Sequence, residues 1–111
     1  MSYTIALNSL QLNELDRAEK MFKKALSKGG GMQSTVYFYL GGLYEGKRDE
    51  AAALENYREV NDGEYLFAAQ LRVAYLLNKD RRGDEAREFL RQIEPTNDHQ
   101  QVKLVLIESQ L

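Results

Sequence analysis

Three segments of the chain repeat one spacing of small and large residues: Ala18-x3-Phe22-x2-Ala25, Ala53-x3-Tyr57-x2-Val60 and Ala86-x3-Leu90-x2-Ile93. Their alanines lie 35 and 33 positions apart. Recurrence at this period marks a repeat architecture, in which each copy is one supersecondary unit that needs a neighbour to bury its second face. Within a copy, the i, i+4, i+7 spacing puts the three side chains on one face of an α-helix. An earlier helical pattern precedes each of them. It is clearest in Tyr37-Phe38-Tyr39-Leu40-Gly41-Gly42-Leu43-Tyr44, where Tyr37, Leu40 and Tyr44 share a face and Gly41 sits beside them. A glycine inside a helix costs about 1 kcal/mol relative to alanine. Gly41 therefore predicts a backbone that another helix approaches closely, and the Ala53–Tyr57–Val60 face is the expected partner.

The aromatic-x2-Leu-Gly-x2-aromatic form of Tyr37 to Tyr44, followed by Ala53-x3-Tyr57-x2-Val60, resembles the tetratricopeptide repeat family, whose period is about 34 residues. The resemblance implies an all-α fold: a right-handed superhelical solenoid of about three helix-turn-helix hairpins plus one C-terminal helix. It covers 1–111 as a single domain, with units at about 1–32, 33–63 and 64–95 and a partial unit or capping helix at 96–111.

The first unit opens with a helix from about Tyr3 to Leu12 that lacks the leading aromatic, with Ile5 and Ala6 at the places of Leu40 and Gly41. Asn13-Glu14-Leu15-Asp16 reads as turn and cap, with Asn13 as the acceptor, and a second helix follows to about Ser27. Gly29-Gly30-Gly31 ends it, because glycine adopts positive φ without steric cost. A phosphate-cradling role for these glycines is excluded, since no strand precedes them and no Gly-Lys-Ser/Thr element follows. In the second unit Gly46 to Asp49 makes the inner turn and Asn61-Asp62-Gly63 the outer one. The third unit carries Val73, Ala74 and Leu77, turns at Asp80 to Gly83 and returns through Ala86, Leu90 and Ile93, with Ala74 in the role of Gly41. Pro95 to Asp98 stops it and caps a last helix bearing Leu104, Ile107 and Leu111. Val102, Val105 and Leu106 leave that helix apolar almost all round, which points to a piece of a longer repeat array.

Composition narrows the functional classes. A formal net charge of -2 provides no basic field for nucleic acid or an anionic membrane surface. No apolar run approaches the roughly 18 residues of a membrane span. There is no cysteine and one histidine, His99, so neither a thiolate nucleophile nor a His-rich metal site is available. Glu14, Asp16, Asp49, Glu50, Asp84 and Glu85 fall at turns and helix starts, where the helix dipole accounts for them. Lys20, Lys23, Lys24 and Lys28 read as a solvated outer face. The expectation is a non-enzymatic protein without cofactor or metal. No targeting segment is evident, so compartment stays open.

Two aromatic positions do not fit the hairpin stripes. Phe38 lies about 100° around the helix from Tyr37, and Tyr75 departs from the stripe of Val73 and Leu77 in the same way. In the resembling family the first helices line a concave groove. The corresponding candidate residues here are Tyr3, Leu7, Phe38, Gly42, Leu71, Arg72, Tyr75, Asn78 and Val105, with Leu10, Thr35, Glu45, Ala68 and Val102 completing the lining. Some members of that family hold a terminal carboxylate with a clamp of lysine, asparagine and arginine. Of the matching places Tyr3, Leu7, Tyr39, Ala68 and Arg72, only Arg72 fits, so an extended or helical apolar segment of a protein is the expected ligand. The alternative is a structural spacer, whose apolar faces meet neighbouring repeats or a second copy through the last helix.

Overall fold

A computed structural model of the chain describes residues 14–110. The expected helix at 3–12, with the candidate residues Tyr3 and Leu7 and the expected cap Asn13, lies outside the described residues. Those described form six α-helices and no strand: α1 (Leu15–Lys28), α2 (Gln33–Gly46), α3 (Glu50–Arg58), α4 (Leu66–Lys79), α5 (Gly83–Gln92) and α6 (Asp98–Ser109). The all-α class read from the sequence is the class observed. The chain divides into two compact units between Ala69 and Gln70, within α4.

In the first unit, α1 is amphipathic: Leu15, Ala18 and Phe22 are buried, whereas Lys20, Lys23, Lys24 and Lys28 are exposed. It starts at Glu14 without a side-chain cap. It ends at Gly29, whose N–H donates to the Leu26 carbonyl and whose left-handed φ of 71° turns the following chain off the helix. Helix α2 packs against α1 on one side and α3 on the other. Two neighbours demand two apolar stripes. Val36, Leu40 and Leu43 join Leu15, Ala18 and Phe22 in one buried cluster. Tyr37 and Tyr44, which share a face with Leu40, pack against this cluster and are half-buried. Gly41 serves the other side. A Cβ placed on it would lie 2.5 Å from Cε1 and 2.6 Å from Cδ1 of Tyr57, so the close approach expected at Gly41 is made by that ring. Ala53, Tyr57 and Val60 are all buried.

The α2–α3 turn is tight. The N–H groups of Lys47, Arg48 and Asp49 donate to the carbonyls of Leu43, Glu45 and Tyr44, and Arg48 takes a left-handed φ of 62°. Asp49 then caps α3 by accepting from the Ala52 N–H at 3.2 Å.

The second unit repeats that turn in a register shifted by 33 residues. The N–H groups of Asp80, Arg81 and Arg82 donate to the carbonyls of Leu76, Asn78 and Leu77, and Arg81 has a φ of 60°. The bond from Ala53 N–H to Asp49 has its counterpart from Ala86 to Arg82, and the bond from Val60 to Tyr57 its counterpart from Ile93 to Leu90. Side-chain burial follows the same register: Val73, Ala74, Leu76 and Leu77 on α4 and Ala86, Leu90 and Ile93 on the returning segment are buried. After Pro95, Asn97 caps α6 by accepting from the Gln100 N–H at 2.8 Å, while Gln100 accepts in return from Thr96 N–H at 2.9 Å. Leu104 faces inward from α6, which packs on α5. Arg91 and Glu108 pair across them at 3.1 Å.

Candidate peptide-binding face

The candidate residues on α2 and on α4 meet different surroundings. Phe38 is half-buried and stacks on Tyr65 with 4.6 Å between ring centroids and 12° between planes. Its edges meet Tyr39 at 5.9 Å and Tyr57 at 5.8 Å, and the Tyr39 and Tyr65 hydroxyls hydrogen-bond at 2.9 Å. Phe22 continues the group by stacking on Tyr39 at 6.0 Å. Such contacts hold rings in place, since offset pairs contribute about 0.5–1.5 kcal/mol beyond their burial. One turn along α2, Gly42 is exposed and bare, and a Cβ there would stand 3.8 Å from the Tyr57 hydroxyl. That hydroxyl donates to Glu45 at 2.5 Å, so the polar end of the buried ring is satisfied at the rim of the hairpin.

On α4, Leu71, Tyr75 and Asn78 follow one another at i, i+4, i+7 and so share a face. Leu71 is half-buried, Tyr75 is 50% exposed and Asn78 is exposed. The Arg72 guanidinium lies 4.5 Å from the centroid of the Tyr75 ring, a cation–π contact that covers one side of it. Past Asn78 the α4–α5 turn opens a cleft of about 510 Å³, lined by Asn78, Arg81, Arg82, Asp84, Glu85 and Arg87. Arg82 is committed to Glu85 through Nε at 3.0 Å and Nη2 at 2.6 Å. The Arg81 guanidinium makes no ion pair or hydrogen bond among the described residues. Val105, with Val102 and Leu106, forms a separate exposed apolar stripe on α6, each 56–57% accessible.

No family model matches the chain, and neither a curated protein nor a solved structure does.

The strongest electrostatic feature of the first unit joins α1, α2 and the α2–α3 turn. Glu19 on α1 accepts from the Tyr44 hydroxyl at 2.8 Å and pairs with Lys23 and Lys47, each at 2.8 Å. Lys47 also reaches Asp16 at 2.6 Å. These cations and the tyrosine hydroxyl lower the Glu19 carboxyl from 4.5 to about 2. The two carboxylates raise Lys47 above the usual lysine range, and burial together with Glu19 raises Tyr44. The network ties the α2–α3 turn to α1 and leaves no buried polar side-chain atom unpaired among the described residues.

Sequence reasoning missed Tyr65, the Tyr39 hydroxyl pair and the arginine-lined cleft. Tyr65 precedes α4, outside any helical stripe, and periodicity does not register it. The cleft left no mark in the sequence, because it depends on the left-handed φ of 60° that Arg81 takes in the turn, as Arg48 does 33 positions earlier. His99 is exposed in the first turn of α6. Among the described residues no group of three or more His, Cys, Asp or Glu could hold a metal ion, and no helix is long and apolar enough to cross a membrane.

Proposed function

We propose that the protein is a non-enzymatic binding module of tetratricopeptide-like hairpins, stacked as a right-handed superhelix, which holds a peptide or protein segment against the exposed faces of its first helices. The observation that carries this reading is α4. Its Val73, Ala74 and Leu77 side is buried, whereas its Leu71–Tyr75–Asn78 side presents a half-exposed ring steadied by Arg72. The 33-residue recurrence of turn, cap register and core supports the family assignment. Binding would draw on apolar burial at roughly 25 cal/mol per Å², reduced by the cost of ordering the peptide. No cofactor enters this mechanism.

Tyr75 is the cleanest probe, because Phe38 is packed on Tyr65 and its loss perturbs the fold as well. Selection from a displayed peptide library should enrich apolar segments whose binding is lost in Tyr75→Ala while the melting temperature stays within a few degrees. Peptides that bind the variant as well as the parent would sink the reading. A second reading, self-association or contact with neighbouring repeats, draws on the exposed Val102, Val105 and Leu106 of α6. Sedimentation across a wide concentration range tests it: a dimer abolished by Val105→Lys favours it, and a monomer throughout removes the self-association form.

A further inference from the structure

We propose that the cleft beside the α4–α5 turn receives a carboxylate of the bound segment, which makes the partner an acidic-apolar peptide rather than a purely apolar one. This rests on the groove reading above and adds its chemical polarity. Three features converge on it. The cleft is continuous with the candidate face, because Asn78 belongs both to the Leu71–Tyr75–Asn78 side of α4 and to the cleft lining. Three arginines line it, and a guanidinium offers paired donors in the planar geometry that a carboxylate accepts. Finally, these arginines are not all used up internally. Arg82 is closed onto Glu85 and forms a fixed wall, whereas the exposed Arg81 guanidinium has no partner among the described residues.

Helix geometry sets the spacing of the ligand. Asn78 is about 4.5 Å along the helix axis from Tyr75, and the turn that carries Arg81 is roughly as far again. An extended peptide advances about 3.3–3.6 Å per residue. The apolar side chain that rests on Tyr75 and the carboxylate that enters the cleft are therefore about two or three ligand residues apart. Asp84 opposes the ligand from within the same lining and limits its affinity.

The test uses the full chain and a set of fluorescein-labelled glycine-serine peptides carrying one phenylalanine and one glutamate at separations from adjacent to five residues. A matched set has glutamine for glutamate, and binding is read by anisotropy. The expected result is a glutamate advantage of about five-fold or more, largest at the two- or three-residue separation and reduced by salt. Arg81→Gln should remove that advantage and Asp84→Asn should enlarge it, with thermal melts confirming that both variants fold. Equal binding of both peptide sets, lost together in Tyr75→Ala, overturns the carboxylate site while the groove stands. Binding of neither set overturns both.

Discussion

Two hairpins with the same backbone turn solve one packing problem in opposite ways. In α2–α3 a glycine, Gly41, lies under a tyrosine ring; 33 positions later the same places hold Ala74 and Leu90, both buried. The larger side chain comes with the smaller notch residue, and the smaller side chain with the larger. Gly41 and Tyr57 fit as a pair, so neither of them can be judged alone. A further difference lies at the rim, where Tyr57 and Tyr44 end in hydroxyls bonded to Glu45 and Glu19, whereas their counterparts Leu90 and Leu77 are apolar.

The largest expected effect comes from emptying the first solution. Tyr57→Ala should cost about 3–5 kcal/mol in urea unfolding, since it leaves a ring-sized void over Gly41 and removes the donor to Glu45. Leu90→Ala should cost less, about 2–4 kcal/mol. An equal cost would mean that the tyrosine ring is not packed more tightly than the leucine. Next comes the exchange itself. Gly41→Ala should destabilise by about 1–3 kcal/mol despite its better helix propensity, because the new methyl meets Tyr57. Adding Tyr57→Leu should recover much of that loss, giving a coupling of about 1 kcal/mol or more in a double-mutant cycle. Strict additivity would break the comparison.

A smaller effect separates the hairpins by pH. Glu19 has its folded carboxyl lowered to about 2 from an ordinary 4.5, so its contribution is present in full above about pH 4.5 and is lost as pH falls through 2. Because its lysine partners are partly hydrated, about 1–2 kcal/mol should disappear over that window, and Glu19→Gln should flatten it. An unchanged acid profile in the variant would assign the acid sensitivity elsewhere. Smallest is the contrast at the start of the returning helices. Asp49→Ala should cost about 1 kcal/mol because it removes a cap. Arg82→Ala, at the equivalent place, should have the smaller effect of the two, since only exposed ion pairs with Glu85 and Asp80 are lost.

How much of this was legible in the sequence depends on the range of the interaction. Helix extents, the glycine stop at 29–31 and the stop and cap at 95–98 follow from residues within a turn or two of one another, and the close approach at Gly41 from the helix that comes next in the chain. Val36 and Leu43 were not singled out, because a reading centred on one stripe suits a helix with a single neighbour, and α2 has two. Pairings across long sequence separations were out of reach altogether. Lys47 with Asp16, and Phe38 with Tyr65, depend on how finished elements are set against each other. The candidate face was half legible: periodicity put Tyr75 off the buried stripe, but nothing in the sequence placed Phe38 within an aromatic cluster.

The seating of Tyr57 on Gly41 also limits how such a chain can be recombined. Joining α2 to α5 would set a glycine beneath a leucine and leave a hole, and joining α4 to α3 would drive a tyrosine ring into a methyl group. Single helices are therefore poor currency for shuffling between copies. Whole hairpins carry their own match, so duplication or grafting of this sequence should succeed with cuts in the outer turns and fail with cuts in the inner ones.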